Sequence, residues 1–142
     1  VLVQPHRDPV TVMASISRLI EVIRSVSFDD IDRAALGQEL LHLWHDGQVR
    51  SMTFRTGNPH VKVHDLRFKD IVADPIEAVR GVYAHADMEF SAKTERAASA
   101  WWAANPADKH GQHKYELSDY GLTREQVENV YADYIATYRD YL

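Results

Sequence analysis

Val1-Leu2-Val3-Gln4-Pro5-His6-Arg7-Asp8-Pro9-Val10-Thr11-Val12-Met13-Ala14-Ser15 is the stretch on which the fold turns. The short β-branched run Val1 to Val3 reads as the end of a buried strand. Asp8-Pro9 then reads as a helix start, because Asp accepts a hydrogen bond from an early backbone N–H and Pro is tolerated at the first helical position. Ile16, Leu19, Ile20 and Ile23 recur at helical spacing and predict a helix over about 9–25 with those four as its buried stripe. A strand end that passes into a helix start is where ligands gather in open α/β sheets. Arg7 occupies that junction. The helix start presents unpaired N–H groups and a partial positive charge, and a guanidinium adds a forked donor suited to phosphate oxygens. Ser15, two turns on and one position before the apolar stripe, is placed to face a cleft. The competing reading pairs Arg7 with a carboxylate and packs Ser15 against a neighbouring helix.

Working outward, Ser27-Phe28-Asp29-Asp30 offers a second cap. A helix is predicted from near Asp29 to near Thr56, with Leu36, Leu40, Leu41, Leu43 and Trp44 inward. Gly47 marks where it would break, and Gly57-Asn58-Pro59 stops it. Val61-Lys62-Val63-His64 alternates as a short strand does. Asp74-Pro75 repeats the cap-and-proline start, with Ile76, Val79 and Tyr83 on one face, and Ser91 caps a helix over about 92–104. Residues 105–119 carry no apolar period and read as a long loop, of the kind that is often functional. Thr123 and Gln126 form a capping box. Val127, Val130, Tyr131, Tyr134, Tyr138 and Tyr141 then line one face of a last helix, read as a docking face with its phenol rims in water. The expected fold class is α/β, helix-dominated with few strands. The 142 residues are expected to form a single domain or the C-terminal part of one, with upstream sequence removed or not shown.

Composition limits the chemistry. With no cysteine, disulfides, thiolate metal sites and cysteine nucleophiles are excluded. A net charge of −5 argues against a broad nucleic-acid surface, yet leaves room for a local anion site. No apolar run approaches the roughly 20 residues that span a bilayer, so no membrane partner is expected, and a cytoplasmic location is.

The second candidate site is the loop Asn105-Pro106-Ala107-Asp108-Lys109-His110-Gly111-Gln112-His113-Lys114-Tyr115. It concentrates positive and switchable charge, and Gly111 lets backbone approach a ligand closely. Such a loop is able to fold over a phosphate, or to be a solvated basic loop.

Arg7-Asp8-Pro9 with Ser15 eight residues after Arg7 resembles the second cofactor motif of sulfotransferases that use 3′-phosphoadenosine 5′-phosphosulfate (PAPS). Two later segments resemble the bacterial-type branch of that family. The first runs from Val63-His64-Asp65-Leu66-Arg67 to Ala73-Asp74-Pro75. The second takes in Trp101 or Trp102, Asn105-Pro106, Lys109-His110-Gly111-Gln112-His113-Lys114-Tyr115 and Asp119-Tyr120-Gly121-Leu122. The resemblance covers essentially the whole chain. It implies the C-terminal portion of a P-loop-like sulfotransferase fold, with sulfuryl transfer from PAPS to a hydroxyl or amine of a small-molecule acceptor. It further implies that Arg7 and Ser15 contact the donor's 3′-phosphate, and that Lys109, His110 and Gly111 contact the 3′-phosphate or the adenosine side. The family's Gly-rich loop for the 5′-phosphosulfate and its catalytic base normally lie upstream of Arg-Asp-Pro, and nothing here matches them. No catalytic residue is assigned.

Other constellations carry less. His42 and His45, and His110 and His113, are three apart, but no third ligand completes a zinc site. His6 is read as orienting or packing, and Asp65 as capping the turn into Leu66-Arg67-Phe68. The alternative to an enzyme is a non-catalytic helical interaction module that keeps an anion site, forming a homo-oligomer through its tyrosine-rich last helix.

Overall fold

The computed structural model describes residues 1–105 and 115–142. The fold is helix-dominated, with one two-stranded parallel sheet among the described residues. In chain order the elements are β1 (Leu2–His6), α1 (Pro9–Arg24), α2 (Arg33–Gly57), β2 (Val63–Arg67), α3 (Phe68–Ala73), α4 (Pro75–His85) and α5 (Ala92–Ala104). A 3-10 turn (Leu117–Tyr120), α6 (Arg124–Val130), α7 (Ala132–Thr137) and a final 3-10 turn (Arg139–Tyr141) follow. No helix of the described residues is long and apolar enough to cross a membrane. The described chain divides into two compact units.

The first unit holds β1, β2, α3, α4, α5 and Tyr141. β1 and β2 pair in parallel, with Leu2 opposite Val63 and His6 opposite Arg67. β2 thus begins two residues later than the alternation predicted. His6 is fully buried and its Nε2 lies 2.8 Å from Asp65 Oδ1. Its ring also packs on Tyr141, with centroids 5.3 Å apart. Asp65 thus pairs with the neighbouring strand, and α3 follows β2 directly, with Arg67 at its N-cap position making no side-chain cap hydrogen bond. α4 starts as Asp74-Pro75 demands, with the Asp74 carboxylate accepting from Glu77 N–H at 3.0 Å. Ser91 caps α5 by accepting from Thr94 N–H at 3.2 Å.

The second unit holds α1, α2, the 3-10 turn Leu117–Tyr120, α6 and α7. Its core is built from Val10, Met13, Ala14, Leu36, Leu40, Leu41, Tyr120, Leu122, Val127, Tyr131, Tyr134 and Tyr138. α1 turns inward a face of Pro9, Val10, Met13, Ala14, Ser17 and Glu21. This corrects the stripe expected from Ile16 to Ile23: Leu19 and Ile23 are 53% and 56% exposed. The inward face tolerates Glu21 because three donors meet its carboxylate there. α2 starts at Asp32, whose carboxylate accepts from Ala35 N–H, and runs through Gly47 without a break. Leu36, Leu40 and Leu41 are buried as expected, whereas Leu43 and Trp44 are exposed.

The C-terminal segment is broken at Tyr131, which ends α6 and precedes α7. The Thr123–Gln126 capping box forms in both directions. Tyr131, Tyr134 and Tyr138 do not present a wet docking face. They are at most 6% exposed and stack on one another inside this unit, and the Tyr131 hydroxyl contacts Met13 Sδ at 3.6 Å. Burial and the neighbouring Tyr134 push the Tyr131 phenol up to about 12. Tyr131, Tyr134 and Tyr138 therefore close the core of this unit.

Candidate anion site on the first long helix

Asp8 fixes the start of α1. Its carboxylate accepts from Val10 N–H at 3.0 Å and from Thr11 Oγ1 at 3.1 Å, while Pro9 occupies the first helical position. Arg7 directly precedes this cap and is half-buried. Ser15 lies seven residues beyond the cap, about 10 Å along the helix at 1.5 Å per residue. Because 8, 11 and 15 are spaced by three and four, Asp8, Thr11 and Ser15 share one helix face. Arg7 and Ser15 thus lie in one unit, on a helix start whose geometry its own side chains fix.

The structure adds Tyr115 to this face. Its hydroxyl donates to Ser15 Oγ at 3.2 Å, and both residues are half-buried. The sequence quoted Tyr115 within the loop motif without giving it a role. Lys109, His110 and Gly111 lie outside the described residues, as do His113 and Lys114. His42 is exposed, and His45 packs edge-on against Tyr131 at 5.5 Å. Among the described residues no group of three or more His, Asp or Glu side chains is arranged to hold a metal.

Next to Tyr115, a chain of contacts that sequence reasoning missed locks the backbone to α1 and α2. Glu116 and Asp119 cap the 3-10 turn reciprocally, with Glu116 N–H donating to Asp119 Oδ2 at 2.9 Å. Tyr120, 2% exposed, donates its hydroxyl to Glu21 Oε2 at 2.7 Å. Arg18 and Arg33 donate to the same carboxylate at 2.8 Å each. The hydrogen bond from Tyr120, with help from both guanidinium groups, outweighs burial and holds Glu21 down at about 2. Burial and the Glu21 carboxylate push the Tyr120 phenol up to about 12. Gly37 of α2 allows this approach, because a Cβ there would overlap the Tyr120 carbonyl oxygen. Gly121, at φ 62°, turns the chain out of the 3-10 turn beside Ala34. The signal that would have found Glu21 is its continuation of the spacing Val10, Met13, Ala14, Ser17, which the apolar stripe beside it hid.

A separate groove of about 480 Å³ lies between α2 and α7, lined by His45, Val49, Met52, Thr56, Asp133 and Tyr134 among others. Neither Arg7 nor Ser15 lines it.

Comparison with known proteins agrees with the fold and with the family resemblance. Among solved structures, the sulfotransferase STF9 from Mycobacterium avium is similar, with a TM-score of 0.81 and 25% identity over 93% of this chain and 34% of that one. The chain therefore spans about a third of the length of that structure. No curated protein matches. The family model described as the sulfotransferase family matches residues 1–92, a span that includes Arg7, Ser15, β2 and α4, and on that match the chain belongs to the sulfotransferase family.

Proposed function

We propose that the chain grips the 3′-phosphate end of PAPS for a sulfuryl transfer to a hydroxyl or amine acceptor. The observation that carries this is Arg7 set against the capped start of α1 with Ser15 two turns along the same helix, in a chain that belongs to the sulfotransferase family. The donor set fits the ligand. A phosphate monoester is a compact anion that accepts from guanidinium and hydroxyl groups, and Arg7 and Ser15 supply both. Lys109, His110 and Gly111 add, by family resemblance, further 3′-phosphate or adenosine-side contacts. In the transfer itself, the acceptor oxygen or nitrogen bonds to sulfur, the bond from sulfur to the 5′-phosphate oxygen breaks, and the acceptor proton leaves to a base. The role given to this chain is to fix the leaving nucleotide, which is positioning and not proton transfer.

Isothermal titration with adenosine 3′,5′-bisphosphate tests the assignment. Removing a charged hydrogen-bond partner of a phosphate costs about 1.5–3 kcal/mol. Arg7→Ala is therefore expected to weaken binding by about 10-fold to 100-fold. Equal heats from both proteins, or none from either at millimolar ligand, would remove Arg7 from the site.

A further inference from the structure

We infer that Tyr115 is a positioning residue of the 3′-phosphate site, acting through Ser15. The inference rests on the reading of Arg7 and Ser15 given above. Ser15 makes one side-chain hydrogen bond among the described residues, and in it Ser15 Oγ is the acceptor and the Tyr115 hydroxyl the donor. A serine hydroxyl has one proton to give and two lone pairs. With Tyr115 on a lone pair, the Ser15 proton remains for a third group, and a hydroxyl that already accepts a bond is a stronger donor. An anion set beside Ser15 receives that proton. Without Tyr115 the Ser15 hydroxyl is free to rotate, and as a mid-helix serine it is able to turn back onto the carbonyl of Thr11 four residues earlier.

Tyr115 is held where it needs to be. The reciprocal cap of Glu116 and Asp119 follows it directly. Tyr120 then reaches into Glu21, and Gly37 admits its backbone. α1 thus carries both Ser15 and the carboxylate that fixes the segment bearing Tyr115. The hydroxyl pair is defined by packing and not by chance contact between two surface side chains.

The test is a double-mutant cycle on the full chain, titrated with adenosine 3′,5′-bisphosphate and with adenosine 5′-phosphate, which lacks the 3′ group. Tyr115→Phe is expected to weaken the bisphosphate about 3-fold to 10-fold, the range for one neutral hydrogen bond, and to leave the monophosphate unchanged. In a Ser15→Ala background the same change is expected to have no further effect, and Ser15→Thr is expected to restore the dependence on Tyr115. A Tyr115→Phe protein that binds the bisphosphate as the unsubstituted chain does overturns the inference, as does a full additive loss in the Ser15→Ala background. If Arg7→Ala weakens binding while Tyr115→Phe does not, the role of Tyr115 fails alone. If the unsubstituted chain binds no bisphosphate, the site and the inference fail together. A loss of unfolding cooperativity in Tyr115→Phe, with equal losses for both nucleotides, also counts against it, since that is what a structural role alone produces.

Discussion

Glu21 is a carboxylate on an inward helix face, and its cost of burial is met by three donors rather than by one. Removing a single partner from such a group leaves a buried charge short of bonds, which is why buried polar networks are sensitive to small changes. Its folded value of about 2 lies below the ordinary 4.5, so its contribution to stability is fully present above about pH 4.5 and is lost as pH falls toward 2. Glu21→Gln carries no such titration. The difference in unfolding free energy between the two proteins should therefore be largest near neutral pH and shrink between about pH 4.5 and 2, measured by denaturant unfolding across that range. A difference that stays constant or grows on acidification would show that the charge of Glu21 does not hold the network. The alkaline side has the opposite sign. Tyr120 is raised to about 12, so its neutral form contributes below pH 10 and that contribution is lost as pH climbs through 12. Tyr131 shares that flank, and Tyr120→Phe should flatten it only in part.

Four helix starts were legible in the sequence because each is written in a few adjacent residues, whereas α2 is capped by Asp32 and not within Ser27 to Asp30 as expected, and the uncapped starts of α3 and α7 left no such signal. Asp8-Pro9, Asp74-Pro75, Ser91 and Thr123 with Gln126 cap the helices they were expected to cap. The inward faces were less legible, since periodicity reports which residues are apolar and not which neighbours are available. On α1 the apolar positions Leu19 and Ile23 lost to a face that ends in Glu21, whose donors arrive from Arg33 and Tyr120, far along the chain. The same holds for the candidate anion site. Arg7 and Ser15 are proposed from a local motif, while the pairing of Tyr115 with Ser15 spans 100 residues and leaves no local trace. α2 shows how far a single glycine depends on such neighbours. A Cβ on Gly37 would overlap the Tyr120 carbonyl oxygen and stand 2.9 Å from Tyr120 Cβ, whereas one on Gly47 meets nothing within 4 Å. Gly37→Ala is expected to destabilise by about 1–3 kcal/mol or more through overpacking against backbone. Gly47→Ala should stabilise by about 0.5–1 kcal/mol, because alanine loses less freedom inside a helix. Urea unfolding of both variants decides the matter; a Gly37→Ala protein as stable as Gly47→Ala would mean that the 3-10 turn does not press on α2.

At the scale of the molecule, the two ends of the proposed donor are not treated alike. The residues proposed for the 3′-phosphate, Arg7 and Ser15 with Tyr115 behind it, stand on the first long helix and in a locked segment of one unit. The Gly-rich loop that the family uses for the 5′-phosphosulfate has no counterpart in the sequence of residues 1–142. Binding to this chain should therefore follow the 3′ group. Taking the 3′-phosphate away, from adenosine 3′,5′-bisphosphate to adenosine 5′-phosphate, is expected to weaken binding by about 10-fold or more, the scale of one charge-assisted contact. Exchanging 5′-phosphosulfate for 5′-phosphate while the 3′-phosphate stays should change affinity by less than about 3-fold. Raising salt should erode the first difference, because the guanidinium acts through charge that counterions screen. Titration of the four nucleotides, each with and without the 3′-phosphate and with and without the sulfuryl group, gives both comparisons in one set. An affinity that tracks the 5′-sulfuryl group instead would put the grip at the other end of the nucleotide, and the Arg7–Ser15 helix start would then be a structural junction and not a binding site.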